Sequence, residues 1–312
     1  MNPFKYTNDN KRYHTLNYHY HQLFKQKVFK ISLNASFSCP NIDGKIGTGG
    51  CIYCSKDGSG EKAYDLLKQF NDVKKIMDKK WPNSKYIGYF QANSNTYAPL
   101  HILKEKYQLI LKQNNVIGLN IATRPDCISD EALNYLEELN KETYLTIELG
   151  LQTIHEKSLE LINRGHDLKC LEDMVKKLRQ KNINVVIHII NGLPYETKAM
   201  MLETAKYLAR LDIQGIKIHM LHIIKDTKLA KMYQKEKFHL LTKEEYIDIV
   251  CDQLQILPDK LIIHRITGDP KIVELVEPTW LIKKFTVLNE IDKELVRRDT
   301  YQGAFHKKEV IN

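Results

Sequence analysis

Three cysteines near the N-terminus are the residues of this chain best suited to metal chemistry. They are Cys39, Cys51 and Cys54, with eleven residues between the first two and two between the last two. Three thiolates can hold three of the four irons of a cubane iron–sulfur cluster, which leaves the fourth iron open to a substrate or cofactor. The spacing therefore indicates a catalytic cluster. A zinc site completed by a histidine is the alternative, and the Cys-x-x-Cys pair taken alone favours it.

The composition fits a soluble globular protein, because 43% of the 312 residues are hydrophobic and 27% are charged. No stretch approaches the roughly 18 consecutive apolar residues that a membrane helix needs, and the first residues lack the apolar core of a signal peptide. We therefore expect a cytoplasmic protein with no membrane partner. The formal charge of +9 favours a polyanionic partner such as nucleic acid, or else a solvated lysine-rich surface.

Apolar, β-branched runs alternate with helix-period stretches over most of the chain. The predicted strands are 28–35, 86–91, 117–123, 144–151, 184–191, 215–221 and 261–266. The predicted helices are 62–80, 101–113, 130–140, 155–164, 169–181 and 198–211. This alternation predicts an α/β fold with a parallel sheet and right-handed crossovers, and about six such units suit a partial (β/α)6 barrel.

The cysteine loop, residues 39–54, directly follows the first predicted strand. In β/α barrels the chemistry lies where strands end and loops begin, so the loop belongs to the active end. We expect an N-terminal basic and aromatic extension over residues 1–27, the barrel over 28–268 and a C-terminal helical tail over 269–312. Capping-box spacing predicts helix starts after Thr153, with Glu156, and after Thr242, with Glu245.

Three further motifs follow the cysteines: Glu148-Leu-Gly-Leu-Gln152, Asn163-Arg-Gly-His166, and His188-Ile-Ile-Asn-Gly-Leu-Pro194. In this order, on a β/α alternation, they resemble the radical-SAM superfamily. They are more closely similar to the subgroup related to the catalytic subunit of elongator, which includes bacterial YhcC/YtqA-type proteins. The eleven residues between the first two cysteines depart from the commonest superfamily spacing of three and favour this subgroup. The resemblance covers most of the chain, from about residue 27 to the end.

The resemblance implies a radical-SAM barrel with a [4Fe-4S] cluster and S-adenosylmethionine (SAM) as cofactors. SAM would chelate the open iron, and one electron from the reduced cluster would release a 5′-deoxyadenosyl radical that takes a hydrogen atom from the substrate. An electron donor such as flavodoxin or ferredoxin is then expected. We expect no acetyltransferase domain after the barrel, so the acetyl-CoA reaction of elongator does not transfer directly.

The resemblance also implies roles for individual residues. Cys39, Cys51 and Cys54 would ligate the cluster as metal-binding and catalytic residues. The SAM-binding residues would be Tyr53 near adenine, Gln91 at the methionine end, Glu148 and Gln152 at the ribose or amino group, Arg164 at the methionine carboxylate, His188 facing the cofactor, and Gly192, Leu193 and Pro194 through backbone groups to adenine.

Structural roles are the alternatives. Glu148 and Gln152 could hydrogen-bond neighbouring loops, Arg164 could compensate a helix dipole, and residues 192–194 could form a plain turn. His188 could be a satisfied core histidine. Four residues remain open between substrate or cofactor contacts and structural roles: His219, His222, His264 and Arg124. The other three cysteines are interpreted as ordinary core or surface residues: Cys127, Cys170 and Cys251.

Aromatic and cationic residues interleave in the N-terminal segment, and further cations lie in the tail. Cations contact phosphates and aromatic rings stack on unpaired bases, so the pattern predicts RNA binding. Alternatively, both ends only cover the barrel. The cations of this pattern include Lys5, Lys11, Arg12, Lys30, Lys307 and Lys308, and its aromatics include Phe4, Tyr6 and Tyr13.

The resemblance makes tRNA the expected partner, because elongator-like enzymes act on its wobble uridine. The step it suggests converts 5-carboxymethylaminomethyluridine to 5-aminomethyluridine. Two alternatives stay open. One is a radical-SAM enzyme that acts on a small metabolite or peptide. The other is a zinc-stabilised RNA-binding protein without catalysis.

Overall fold

The computed structural model describes residue 4 and residues 11–55 and 63–306. Predictions that concern Lys5, Tyr6, Lys62, Lys307 and Lys308 lie outside these residues. The strands are β1 (Val28–Leu33), β2 (Lys85–Phe90), β3 (Val116–Thr123), β4 (Tyr144–Gln152), β5 (Asn184–Asn191), β6 (Gly215–Met220), β7 (Ile223–Ile224), β8 (Ile262–Arg265) and β9 (Leu275–Glu277). The helices are α1 (Leu16–Phe24), α2 (Leu66–Lys80), α3 (Leu100–Leu111), α4 (Asp130–Glu142), α5 (Glu156–Leu161), α6 (Leu168–Gln180), α7 (Lys198–Leu208), α8 (Lys228–Lys235), α9 (Lys243–Ile256) and α10 (Lys284–Arg297).

Seven strands form one sheet in the order β1-β2-β3-β4-β5-β6-β8. The pairs β1/β2, β2/β3, β3/β4 and β6/β8 are parallel. Each connection between neighbouring strands carries at least one helix, which is how parallel strands are joined. The predicted α/β fold is thus confirmed, and each of the seven predicted strands is present. A short antiparallel pair, β7 with β9, was not predicted.

The described chain forms two compact units. The first, named the cysteine unit, comprises Tyr20–Leu151 and Leu159–Ile187, and it contains the cysteine loop. The second, named the histidine unit, comprises Met1–His19, Gln152–Ser158 and His188–Asn312. Strand β5 contributes its first half to the cysteine unit and its second half to the histidine unit.

Strand β4 shows how the cysteine unit positions polar groups. Leu145, Ile147 and Leu149 alternate along it and are fully buried. The residues between them point to the opposite face, and Glu148 is also fully buried there. Because parallel strands are covered on both faces, a polar side chain at such a position needs a hydrogen-bond partner inside the protein. This face of the sheet therefore carries a polar network.

The N-terminal segment and the C-terminal tail are joined inside the histidine unit. Thr15 forms a parallel bridge with Ile263, and the Ile263 amide donates to the His14 carbonyl oxygen at 2.8 Å. The Gln302 side chain accepts from the His14 amide at 2.8 Å and donates to the Leu261 carbonyl oxygen at 2.8 Å. Residues 11–15 thus pack as part of the histidine unit.

One of the two predicted capping boxes is present. Thr242 accepts from the Glu245 amide, and the Glu245 side chain accepts from the Thr242 amide, at the start of α9. The other prediction is wrong, because α5 begins at Glu156 and the Thr153 hydroxyl donates to Glu196 Oε1 at 2.6 Å. Within residues 4, 11–55 and 63–306, no helix has the length and apolar character needed to cross a membrane.

Candidate functional site

The cysteine loop is held by the 162–165 turn, a name used here for residues 162–165 after α5. The Ile52 amide donates to the Ile162 carbonyl oxygen at 3.1 Å, and Asn163 Nδ2 donates to the Gly50 carbonyl oxygen at 2.8 Å. Within the loop, the Cys54 amide donates to the Cys51 carbonyl oxygen at 3.0 Å. The two segments are far apart in sequence, so the contact depends on the packing of the cysteine unit.

Asn41 connects the loop to this turn through a side chain that is 1% exposed. Its Nδ2 donates to the carbonyl oxygens of Asn163 at 2.5 Å and Arg164 at 3.2 Å, and it lies 3.7 Å from Cys51 Sγ. Gly165 packs against the Asn41 Oδ1 atom. Its φ is +74°, and a Cβ there would lie 2.5 Å from that oxygen. The position therefore requires glycine for both its conformation and its space.

Arg164 is a buried cation that contacts Cys51, and it is 6% exposed. Its Nη1 donates to Cys51 Sγ at 3.7 Å, while Nε and Nη2 both donate to the Gly150 carbonyl oxygen, with Nε at 3.1 Å. Burial alone would lower the pKa of Arg164, but the nearby Tyr53 and Cys51 raise it. The guanidinium is thus a fixed positive charge beside the Cys51 sulfur.

The pKa values of Cys51 and Cys54 are shifted in opposite directions. The hydrogen bond from Cys54 and the Arg164 charge hold the pKa of Cys51 well below its ordinary value, although burial opposes them. The same hydrogen bond, together with burial, raises the pKa of Cys54. Electrostatic repulsion from Cys39 adds to this rise in the pKa of Cys54. Since the thiolate is the form that binds metal, the lowered pKa favours Cys51 as a metal ligand.

Arg124 supports the same turn. Its Nη1 donates to the Arg164 carbonyl oxygen at 2.7 Å, and its Nε and Nη2 form a bidentate ion pair with Asp126 at 2.9 and 2.7 Å. Its side chain is 3% exposed. Of the two roles left open for Arg124, the structure shows the salt bridge.

Glu148 and Gln91, both predicted to bind SAM, lie in the cysteine unit. Glu148 Oε1 accepts from Lys30 Nζ at 3.0 Å and from Asn120 Nδ2 at 2.7 Å, and Gln91 Oε1 accepts from the Ser32 hydroxyl at 3.1 Å. Lys30 and Asn120 were not predicted as members of this network. Both are polar residues at alternate positions of apolar strands, and that signal was available.

Tyr53 and Arg164, also predicted to bind SAM, lie in the cysteine unit, and the remaining predicted SAM-binding residues lie in the histidine unit. Gln152 ends β4 with a φ of +83°, and Gly192 follows β5 with a φ of +83°. The Gly192 amide donates to Met201 Sδ at 3.2 Å. Two further predicted residues, Leu193 and Pro194, come next and are buried. His188 packs against His219 with ring centroids 5.2 Å apart.

Three residues of the predicted RNA-binding segment at the N-terminus make contacts within the protein or are buried. Lys11 pairs with Asp292, and Arg12 Nη1 pairs with Asp299 at 3.1 Å. Tyr13 is 6% exposed. These contacts support the alternative that this end covers the protein's own surface.

The donors around the cysteine loop fit an iron–sulfur cluster. A cubane binds each cysteine through a separate iron. The Cys51 thiolate and its two nitrogen donors supply the ligand and the outer hydrogen bonds that such a cluster uses.

The model of the Radical SAM superfamily matches residues 42–208, more than half of the chain, and that of the Radical_SAM C-terminal domain matches residues 213–297. The chain belongs to the radical-SAM superfamily. Its cofactors are therefore the two that define this superfamily, a [4Fe-4S] cluster and SAM, as predicted.

Among the relatives, YtqA of Bacillus subtilis is 51% identical over 311 residues, 98% of this chain and 97% of that protein. The tRNA uridine(34) acetyltransferase of Methanocaldococcus infernus is 26% identical over 160 residues, 50% of this chain and 29% of that protein. A solved structure of M. infernus Elp3 lacking its N-terminus matches with a TM-score of 0.67 and 17% identity, over 89% of this chain and 64% of that chain. This last likeness shows the fold alone.

Proposed function

We propose that this chain is a radical-SAM enzyme that modifies the wobble uridine of tRNA, converting 5-carboxymethylaminomethyluridine to 5-aminomethyluridine. The observation that carries the catalytic part is the contact of the buried Cys51 sulfur with two nitrogen donors, Arg164 Nη1 and Asn41 Nδ2, each at 3.7 Å. Cys54 and Arg164 also lower the pKa of Cys51. The tRNA substrate is supported by the similarity to the tRNA uridine(34) acetyltransferase and by the formal charge of +9.

When bound, the cluster and SAM would supply the radical that takes a hydrogen atom from the glycine-derived carbon of the substrate. Loss of one more electron to a one-electron acceptor and addition of water to that carbon would then break its bond to nitrogen, which gives the aminomethyl product and glyoxylate. Cys39, Cys51 and Cys54 would hold the cluster, and the 162–165 turn fixes the loop that carries them. The Arg164 guanidinium stabilises negative charge on Cys51, and its two hydrogen bonds to Gly150 keep it in place.

Lys30 and Asn120 orient the Glu148 carboxylate, because both donate to Oε1. We propose that this carboxylate and the other predicted residues bind SAM, although their individual roles stay predictions. These are Tyr53, Gln91 and Arg164 in the cysteine unit and Gln152, His188, Gly192, Leu193 and Pro194 in the histidine unit.

The proposed reaction requires a one-electron donor, for which we propose flavodoxin or ferredoxin, and a reducing compartment, for which we propose the cytoplasm. The function is tested by deleting the gene, digesting bulk tRNA to nucleosides and quantifying the wobble uridines by mass spectrometry. We expect 5-carboxymethylaminomethyluridine to accumulate and 5-aminomethyluridine with its later products to disappear.

Complementation of the deletion strain shows whether the change in nucleosides depends on the cluster. The wild-type gene should restore the nucleosides, and the Cys54→Ala variant should not, because the cluster would lose a ligand. Purified, reconstituted protein with SAM, a reductant and tRNA from the deletion strain should convert the same nucleoside. Unchanged nucleosides after deletion would refute the tRNA function, and 5′-deoxyadenosine formation that does not depend on tRNA would then point to a metabolite or peptide substrate.

A further inference from the structure

A tight turn shortly after β5 carries an aromatic residue at a position that favours glycine. The Glu196 amide donates to the Leu193 carbonyl oxygen at 3.0 Å. Pro194 and Tyr195 are the two central residues between them. Tyr195 has a φ of +67°, which together with proline at the first central position identifies a type II turn. Such a turn prefers glycine or asparagine at the second central position, so the turn alone gives no reason for a tyrosine.

The Tyr195 ring belongs to a small aromatic group in the histidine unit. Tyr195 is 60% exposed, whereas Phe238, whose ring centroid lies 6.3 Å away, is buried. Tyr233, which is half-buried, packs edge-on against Phe238 with ring centroids 5.1 Å apart. We name these three residues the aromatic patch. Its buried member supports a ring that is open to solvent and that another molecule can contact.

The chain beside the aromatic patch is positively charged. Lys237 Nζ lies 3.7 Å from the Tyr233 ring centroid, and Lys237 forms no ion pair with any residue in the described ranges. Residues 228–237, which comprise α8 and the two residues after it, contain four lysines and one glutamate. The carboxylate next to Tyr195 in the sequence, that of Glu196, accepts from the Thr153 hydroxyl at 2.6 Å. An exposed aromatic face beside lysines is the combination that binds single-stranded nucleic acid.

We propose that the aromatic patch binds the anticodon loop of tRNA, with an unpaired base stacked on Tyr195 and a backbone phosphate at Lys237. This inference rests on the proposed function, because an enzyme that acts on one base of a loop also contacts the nucleotides beside it. The turn follows the carboxyl end of β5, and in β/α barrels the chemistry lies at the carboxyl ends of the strands. A ring face stacks on any base, so the contact would hold the loop without reading its sequence.

Two RNAs separate stacking from electrostatic attraction. The reconstituted holoenzyme, kept without reductant, is titrated by fluorescence anisotropy with a labelled anticodon stem-loop and with a fully paired duplex of the same stem. We expect the wild type to bind the stem-loop more tightly, because the duplex offers phosphates but no unstacked base. Tyr195→Gly suits the turn and should weaken binding of the stem-loop about tenfold while leaving the duplex unchanged. Tyr195→Phe keeps the ring and should bind like the wild type.

Lys237→Gln tests the phosphate contact. It should weaken binding of both RNAs and make the slope of log K against log salt concentration shallower by about 0.7–0.9, the contribution of one phosphate. Tyr195→Gly should leave this slope unchanged, because it removes no charge. A circular dichroism melt shows whether each variant folds. If Tyr195→Gly does not fold, Tyr195→Asn carries the test, since asparagine also adopts a positive φ.

The matched control is Phe285→Ala, which removes another exposed aromatic ring from the histidine unit. Phe285 is 70% exposed. The lysine beside it, Lys284, donates to both carboxylate oxygens of Asp269 at 2.8 Å, so that cation is already paired. Phe285→Ala should therefore bind both RNAs like the wild type.

Three results would overturn the inference: unchanged affinity of Tyr195→Gly for the stem-loop, an equal loss of affinity for the duplex, or an equal loss in Phe285→Ala. A changed oligomeric state of Tyr195→Gly in size-exclusion chromatography, with unchanged RNA affinity, would assign the aromatic patch to a contact between two copies of the chain. Failure of the proposed function looks different. Unchanged wobble nucleosides after gene deletion, with the preference for the stem-loop intact, would refute the conversion but not the contact.

Discussion

Replacing Gly165 by alanine tests whether the 162–165 turn holds the cysteine loop. The φ of +74° costs a residue with a Cβ about 1–2 kcal/mol. The new Cβ would also lie 2.5 Å from Asn41 Oδ1, 3.2 Å from Ile46 Cγ2 and 3.3 Å from Arg124 Nη2. Overpacking of this kind costs about 1–3 kcal/mol, so the total is about 2–5 kcal/mol.

The Gly44→Ala variant is the matched control. Gly44 belongs to the same loop and has a φ of +91°, but a Cβ there would meet only Thr48 Cγ2, at 4.0 Å. It should therefore cost only the conformational part, about 1–2 kcal/mol. The difference between the two variants isolates the contact with Asn41 and the turn.

The assay is denaturant unfolding of the reconstituted protein, with iron and acid-labile sulfide per chain measured in the same samples. Gly165→Ala should unfold with about 1–3 kcal/mol less free energy than Gly44→Ala and should hold less iron. Adding Asn41→Ala to Gly165→Ala should cost less than the sum of the two single changes, because the side chains contact each other. Equal stability and equal iron content in the two glycine variants would refute the idea that the turn clamps the loop.

Three further predictions follow from the same structure. Lys30→Met should lower the free energy of unfolding by about 3–5 kcal/mol, because it removes one partner of a buried ion pair with Glu148. In denaturant unfolding, the double variant Lys30→Met/Glu148→Leu should recover much of this loss. Arg297 and Arg298 lower the pKa of Glu294 to about 2, so Glu294 stabilises the fold above its unfolded pKa of about 4.5, and that contribution is lost as pH falls toward 2. The free energy of unfolding of Glu294→Gln should therefore be about 1 kcal/mol below that of the wild type at pH 7. This difference should shrink between pH 5 and pH 3. A difference that stays constant over this pH range would contradict the role given to Glu294. Asn41→Ala should make the reduction potential of the cluster more negative in an EPR-monitored redox titration, because Cys51 loses a hydrogen-bond donor. The control is Asn163→Ala, which removes a contact that anchors the loop but no donor to Cys51. An equally negative potential in this control would show that the effect comes from loop anchoring alone.

The strands were predictable because each is an apolar, β-branched run long enough to show a pattern. Strands β7 and β9 were not, since two or three residues carry no periodicity. The start of α9 was predictable because Thr242 and Glu245 satisfy each other locally. Thr153 has the same spacing from Glu156, but it finds Glu196 instead, a partner 43 residues away. Of the two capping-box predictions, the one that failed is therefore the one in which a residue distant in sequence binds the threonine side chain.

The cysteines and the motif at 163–166 were identified from the sequence, but the contact between them was not. It depends on side-chain hydrogen bonds such as those from Asn41 to the carbonyl oxygens of Asn163 and Arg164, more than 120 positions along the chain. The roles of Lys30 and Asn120 depend in the same way on strand order and register. A sequence shows which residues are polar inside an apolar strand, while the fold decides which of them meet.

The bridge between Thr15 and Ile263 has a consequence for solubility. Strand β8 is the last strand of the sheet, and an exposed edge strand offers unpaired backbone groups to a neighbouring molecule. The Ile263 amide already donates a hydrogen bond to the His14 carbonyl oxygen, so the N-terminal segment of the same chain protects part of this edge. A shortened protein that starts after residue 15 would expose the backbone of β8 at Ile263. We expect such a protein to self-associate by pairing this edge strand with strands of other molecules.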